Sequence, residues 1–94
     1  MKLAIVVGQV VSTVKCKSLF GDPLLIVDYV DNDGKPCGNR HVAADPIGAG
    51  NGEWVLVVEG SSARLATNAE GAIDLSIVGI VDEVTIQGKA IFHK

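Results

Sequence analysis

The chain is poor in aromatic side chains, in clustered basic charge and in cysteine. Only 4% of its 94 residues are aromatic: Phe20, Tyr29, Trp54 and Phe92. Valine, isoleucine and leucine must therefore fill the core, and the β-branched ones among them favour strands. Lysine and arginine are scattered singly, and the formal net charge is −3. Binding phosphates needs a basic face, so no nucleic-acid partner is expected. Cys16 and Cys37 are the only cysteines and form no Cys-x-x-Cys pair. Two free thiols in a reducing compartment are the simplest reading. No apolar run is long enough to span a bilayer. Leu3–Val7 is soon interrupted by Gly8, Gln9, Ser12 and Thr13, and it is too short for a secretory signal. There is no Asn-x-Ser/Thr acceptor. The expectation is a soluble cytoplasmic protein with no membrane partner.

What is present is strand-forming material. With 48% hydrophobic residues the chain is no disordered tail. Its length fits one domain over residues 1–94. A chain of this size buries only roughly 60–65% of its unfolded surface, so self-association adds stability. Lys2–Val14 reads as one long first strand, bent at Gly8 and able to serve two sides of a barrel. Lys15–Pro23 is a connection, with Leu19 and Phe20 tucked beneath it. Leu24–Val30 is the second strand, and Asp31–Gly34 its hairpin turn, extended through Asn39. Arg40–Ala44 is a short third strand ended by Asp45-Pro46. Trp54–Val58 is the fourth. Ser61–Ala66 reads as one helical turn with a serine cap, followed by a polar loop over Thr67–Ala72. Leu75–Val81 is the fifth strand. Val84–Ile86, Gln87-Gly88 and Lys89–Phe92 form a terminal hairpin. The fold class is mainly all-β: a small five-stranded OB-like β-barrel with one short helical turn and a C-terminal β-hairpin.

One stretch stands out against this background. Gly48-Ala49-Gly50-Asn51-Gly52-Glu53 places three glycines at alternate positions just before the fourth strand. Such a backbone takes positive φ and lets a ligand or another chain approach. A dinucleotide fingerprint needs Gly-x-Gly-x-x-Gly opening a helix. Here Glu53 stands at the third glycine position and a strand follows. A P-loop needs Gly-Lys-Ser/Thr, but Gly34-Lys35 runs into Pro36 and Gly88-Lys89 into Ala90.

No other pattern carries chemistry. Gly60-Ser61-Ser62-Ala63-Arg64 has arginine where a nucleophile elbow has its last glycine. Asp31-x-Asp33-Gly34 aligns Tyr29 and Arg40 with calcium-loop positions that must be acidic. His41 and His93 lack the spacing of a zinc site; His41 reads as a surface or interface residue. Asp82 and Glu83, adjacent on a strand, point to opposite faces. No catalytic residue, metal ligand or cofactor is assigned, and the chain is not expected to be an enzyme. The competing function on these residues is an OB-type binding module for single-stranded nucleic acid or a small ligand. Exposed aromatics on a basic groove are its requirement.

Taken together, the motifs resemble one family. They run in order from Gly8-Gln9-Val10-Val11-Ser12-Thr13 to Leu24-Leu25-Ile26-Val27 and Val42-Ala43-Ala44-Asp45-Pro46-Ile47. The glycine loop, Gly60–Arg64 and Ile77–Asp82 complete the set. This series is similar to the EutN/CcmL family of bacterial microcompartment vertex proteins. The Trp54 strand and the Ile91-Phe92-His93-Lys94 ending look most like its ethanolamine-utilisation branch. The resemblance implies a homopentamer of barrel subunits capping the vertices of a carboxysome-like protein shell that encloses metabolic enzymes. It also implies hexameric facet proteins as partners. Gly48, Ala49, Gly50, Asn51, Gly52, Glu53, Ser61, Ser62 and Arg64 are then expected at subunit contacts or around the central axis. Glu53 and Arg64 would make charge-assisted bonds there.

Overall fold

A computed structural model describes residues 1–13, 21–60, 63 and 73–94. The expected placement of Leu19 and Phe20, the loop over Thr67–Ala72 and most of the helical turn lie outside the described residues. Gly60 and Ala63, which are described, are helical.

Seven strands are described: β1 Lys2–Val10, β2 Leu24–Val30, β3 Pro36–Ala44, β4 Trp54–Glu59, β5 Leu75–Val81, β6 Glu83–Ile86 and β7 Lys89–His93. The first five close a barrel in the order β1-β2-β3-β5-β4, and β6 and β7 form a separate two-stranded sheet. All ladders are antiparallel except β3 with β5, which meet in parallel at Ala44 and Ser76. That bridge closes the barrel.

The first strand does serve two sides. Lys2–Ile5 pair with β4, and Ala4–Val10 pair with β2 through a register shift between Val6 and Gly8. An extra residue in one strand sharpens the bend, as barrels need. The strand ends at Val10, short of Val14, because Val11, Ser12 and Thr13 leave the ladder. β3 differs the other way, beginning at Pro36 rather than Arg40. The Asp31 side chain accepts from Asp33 and Lys35 N–H at 2.9 and 3.0 Å, which closes the turn early. The partners then step from Asp28↔Arg40 to Val30↔Pro36. The surplus residues form a bulge with Gly38 at a φ of 78°. Proline and glycine mark an irregular strand here, not a loop.

The core follows the two-residue period. Ala4 and Val6, Leu25 and Val27, Val55 and Val57, and Leu75 and Ile77 alternate inward with Ala43. A five-stranded barrel is narrow, so aliphatic and small side chains fill its buried centre, with Tyr29 packed partly buried against them. Asp28 is buried on β2; its Oδ2 lies 3.8 Å from Arg40 Nε, and Oδ1 has no hydrogen-bond partner among the described residues.

Two rings work elsewhere. Trp54 and Phe92 stack with centroids 4.7 Å apart and planes at 17°, fastening the β6–β7 hairpin to the barrel. Gly34, at a φ of 79°, brings the β2–β3 turn against Ile91 and Trp54. Trp54 is the only tryptophan, so its emission reports on this joint. Phe92→Ala is expected to red-shift that emission and to cost about 2 kcal/mol in urea unfolding.

Candidate functional site

The glycine loop leaves β3 at Asp45, which the sequence marks as a strand stop and as part of the Val42–Ile47 motif. Asp45 is buried, with 3% of its surface exposed. Its Oδ1 accepts from the N–H groups of Ile47 and Gly48 at 3.3 and 3.0 Å, and its Oδ2 from Ala49 N–H at 2.8 Å. Its own N–H donates to Pro23 O at 2.9 Å, tying the loop's start to β2. Asp-Pro after a strand is a known turn signal, but three successive acceptances cannot be inferred from it.

The loop's far end is held on β1. Gly52 N–H donates to Val6 O at 2.8 Å, and Val6 N–H donates to Glu53 O at 2.9 Å. The bulge after Val6 leaves this edge to the loop. Between the ends, Glu53 N–H reaches Gly50 O at 3.1 Å. Glu53 Oε1 accepts from Gly50 N–H at 2.6 Å, and its Oε2 pairs with Lys94 Nζ at 2.7 Å.

The three glycines have separate reasons. Gly48 and Gly52 both sit at a φ of 87°, with open space where a Cβ would stand. They are required by backbone conformation. Gly50 has no positive φ, but a Cβ there would lie 3.2 Å from Glu53 Oε1. A side chain there would crowd the carboxylate that its own N–H holds. Consecutive N–H groups of this kind make an anion nest. Here Asp45 and Glu53 already occupy them, which is the physical reason the loop is no phosphate cradle.

Lys94 lowers the Glu53 pKa first, with Gly50 N–H second, and Glu53 in turn raises that of Lys94. Ser61, Ser62 and Arg64 lie outside the described residues, so their distance from Gly48–Glu53 is not part of this geometry. Cys37 is a free, exposed thiol whose Sγ donates to Tyr29 O at 2.9 Å; Cys16 lies outside the described residues.

A second polar region lies near Lys2 and Tyr29. Glu59 Oε1 accepts from Tyr29 OH at 3.0 Å and pairs with Lys2 Nζ at 3.2 Å. Lys2 Nζ lies 4.8 Å from the Tyr29 ring centre, and His41 stacks on that ring at 4.6 Å. His41 also meets Asn39 Oδ1 at 3.1 Å and is exposed. Burial, and then the bond to Glu59, push the Tyr29 pKa up to about 12. These groups line an open groove of about 610 Å³ together with Asp74 and Leu75. Tyr29, Trp54 and Phe92 all have ring partners within the chain, so none of these three is a free platform for stacking a base. Among the described residues, no three His, Cys, Asp or Glu side chains gather as a metal site.

Two outcomes follow from the loop's carboxylates. Asp45→Ala leaves three N–H groups without their acceptor and is expected to cost about 3 kcal/mol in denaturant unfolding, with Asp45→Asn losing less. For Glu53, a folded pKa below 4.5 means its contribution is present above 4.5 and lost as pH falls through the folded value. For Lys94, raised above 10.5, the contribution is present below 10.5 and lost as pH rises through the folded value. The Gly50 amide resonance should therefore stay constant through neutral pH and move with an acid midpoint below 4.5. Lys94→Gln should raise that midpoint, and Glu53→Gln should abolish it.

The whole chain has close relatives. A family model described as "Ethanolamine utilisation protein EutN/carboxysome" matches residues 1–82. The chain is 55% identical to the bacterial microcompartment shell vertex protein EutN of Salmonella typhimurium, over all of this chain and 96% of the relative. It is 43% identical to the carboxysome shell vertex protein CcmL of Synechocystis, over all of this chain and 95% of the relative. Among solved structures it is similar to the GrpN pentameric microcompartment shell protein from Rhodospirillum rubrum. That match has a TM-score of 0.83 and 46% identity, covering 92% of this chain and 99% of the other. At these identities over these lengths, the chain belongs to the EutN/CcmL family.

Proposed function

We propose that this protein is a structural, non-catalytic shell subunit. Copies of it close into a cyclic pentamer that caps the vertices of a microcompartment in the cytoplasm. The observation that carries this reading is likeness along the whole chain to shell vertex proteins, at 55% identity for EutN. Support also comes from GrpN, a relative of the same fold that is itself described as pentameric. A sheet of hexameric facet proteins stays flat, and five-fold subunits let it close. Hexameric facet proteins are therefore the proposed partners.

Ring closure joins two unlike patches on each copy. We place Gly48, Ala49, Gly50, Asn51, Gly52 and Glu53 at or near one such contact, with Ser61, Ser62 and Arg64 as the other candidates. The loop suits this role because its backbone is set within its own chain, through Asp45, Val6 and Lys94. A contact element that is already in shape loses little freedom on binding. The acidic background and internally paired rings give the OB-type nucleic-acid reading no comparable support.

Native mass spectrometry of the purified chain at micromolar concentration tests the proposal. The expected species contains five copies and persists at moderate salt. A monomer alone at that concentration would sink the reading.

A further inference from the structure

The glycine loop has two features that its intrachain hydrogen bonds leave unused. The first is Ile47, an apolar side chain that is 47% exposed. Its backbone is not free to hide it. Ile47 N–H and the next two N–H groups all point to the buried Asp45 carboxylate. The second is a cavity of about 320 Å³ between the loop and the end of the barrel. Val6, Leu25 and Ala49 supply its apolar walls, and the amides of Gln9 and Asn51 belong to its lining. Among the described residues, no ionisable side chain lines it.

These features complement each other chemically. A branched aliphatic group set against these described walls strips water from no charge on them and buries apolar surface on both sides. Ile47 is absent from the cavity's lining although it stands two residues from Ala49. Within one chain the knob and the hole are adjacent but not joined. A ring needs two unlike patches on every copy, and this loop carries both. We infer that Ile47 of one copy enters the cavity beneath the glycine loop of the next, so that neighbouring loops interlock around the ring. The inference rests on the pentamer reading and assigns its contact.

The experiment uses the full chain with Cys16→Ser and Cys37→Ser, first checked by native mass for five copies. Ile47→Ser in this background should leave Trp54 emission unchanged and raise the concentration at which the ring dissociates by roughly tenfold. Ile47→Cys is then combined with Gln9→Cys or with Asn51→Cys. Mild oxidation should give a covalent ladder beyond the dimer for at least one pair, while each single substitution stops at the dimer. Five copies that persist with no ladder from either pair, or a dissociation midpoint that Ile47→Ser does not move, overturn the interlock and leave the ring intact. A background chain and a parent chain that are both monomeric overturn the ring, and the interlock with it.

Discussion

The Asp45 carboxylate is the constraint on which the rest of the structure hangs. It sits one residue past Ala44, whose bridge to Ser76 closes the barrel. Its N–H holds β2's leading edge through Pro23, and its two oxygens take three loop N–H groups. Backbone donors turned away from a strand ladder need acceptors. A charged acceptor gives shorter and stronger bonds than a neutral one. A single buried residue therefore ends a strand, helps seal the barrel and shapes the exposed loop. The loop is the barrel's continuation rather than an appendage.

The strands were legible as apolar runs, at Leu3–Val7, Leu24–Val27, Trp54–Val58 and Leu75–Val81, and Gly8 marks a bend that the register shift bears out. Which alternate residues face inward, Ala4 and Val6 rather than Leu3, Ile5 and Val7, is fixed by the barrel and not by these nearly continuous runs. What was not legible is not local. Glu53 meets Lys94 across 41 positions, and nothing near either residue signals the other. Pro36 and Gly38 resemble loop residues, so the sequence alone starts β3 at Arg40 rather than at Pro36. Only the Asp31 turn and the partner register show that a bulge absorbs them. The glycine loop was noticed for its spacing, but the spacing hides two different requirements. Gly48 and Gly52 answer to backbone conformation, while at Gly50 a side chain would crowd a neighbouring carboxylate. Asp45-Pro46 reads as an ordinary turn signal and as part of the family motif, and neither reveals that the Asp45 carboxylate shapes the loop.

The scarcity of aromatics has a structural consequence. A narrow barrel takes valine and alanine inside, so Trp54 and Phe92 are left to fasten the terminal hairpin. That hairpin carries Lys94, whose N–H donates to Asp82 O at 2.8 Å and whose ammonium holds Glu53. The ring stack thus acts on the glycine loop at one remove. It positions the strand that positions the cation that positions the carboxylate beneath Gly50. Shifting the hairpin displaces Lys94 from Glu53.

This arrangement bears on how a shell vertex is built. In the proposed ring each subunit meets its neighbours through the same two patches, so an angular error in one contact repeats around the ring. A loop with alternate glycines is the least suitable element for holding an angle, because glycine has the most freedom to lose. The chain resolves that conflict by tying the loop at Asp45 just past β3, at Val6 on β1 and at Glu53–Lys94, where Lys94 follows β7. Glycine then supplies backbone shapes that other residues cannot adopt, and the carboxylates remove the freedom that comes with them. In the proposed interlock, a loop fixed in this way presents its apolar residue at a set position before any neighbour arrives. On that proposal five copies settle on one angle because it is set within each chain rather than negotiated between chains.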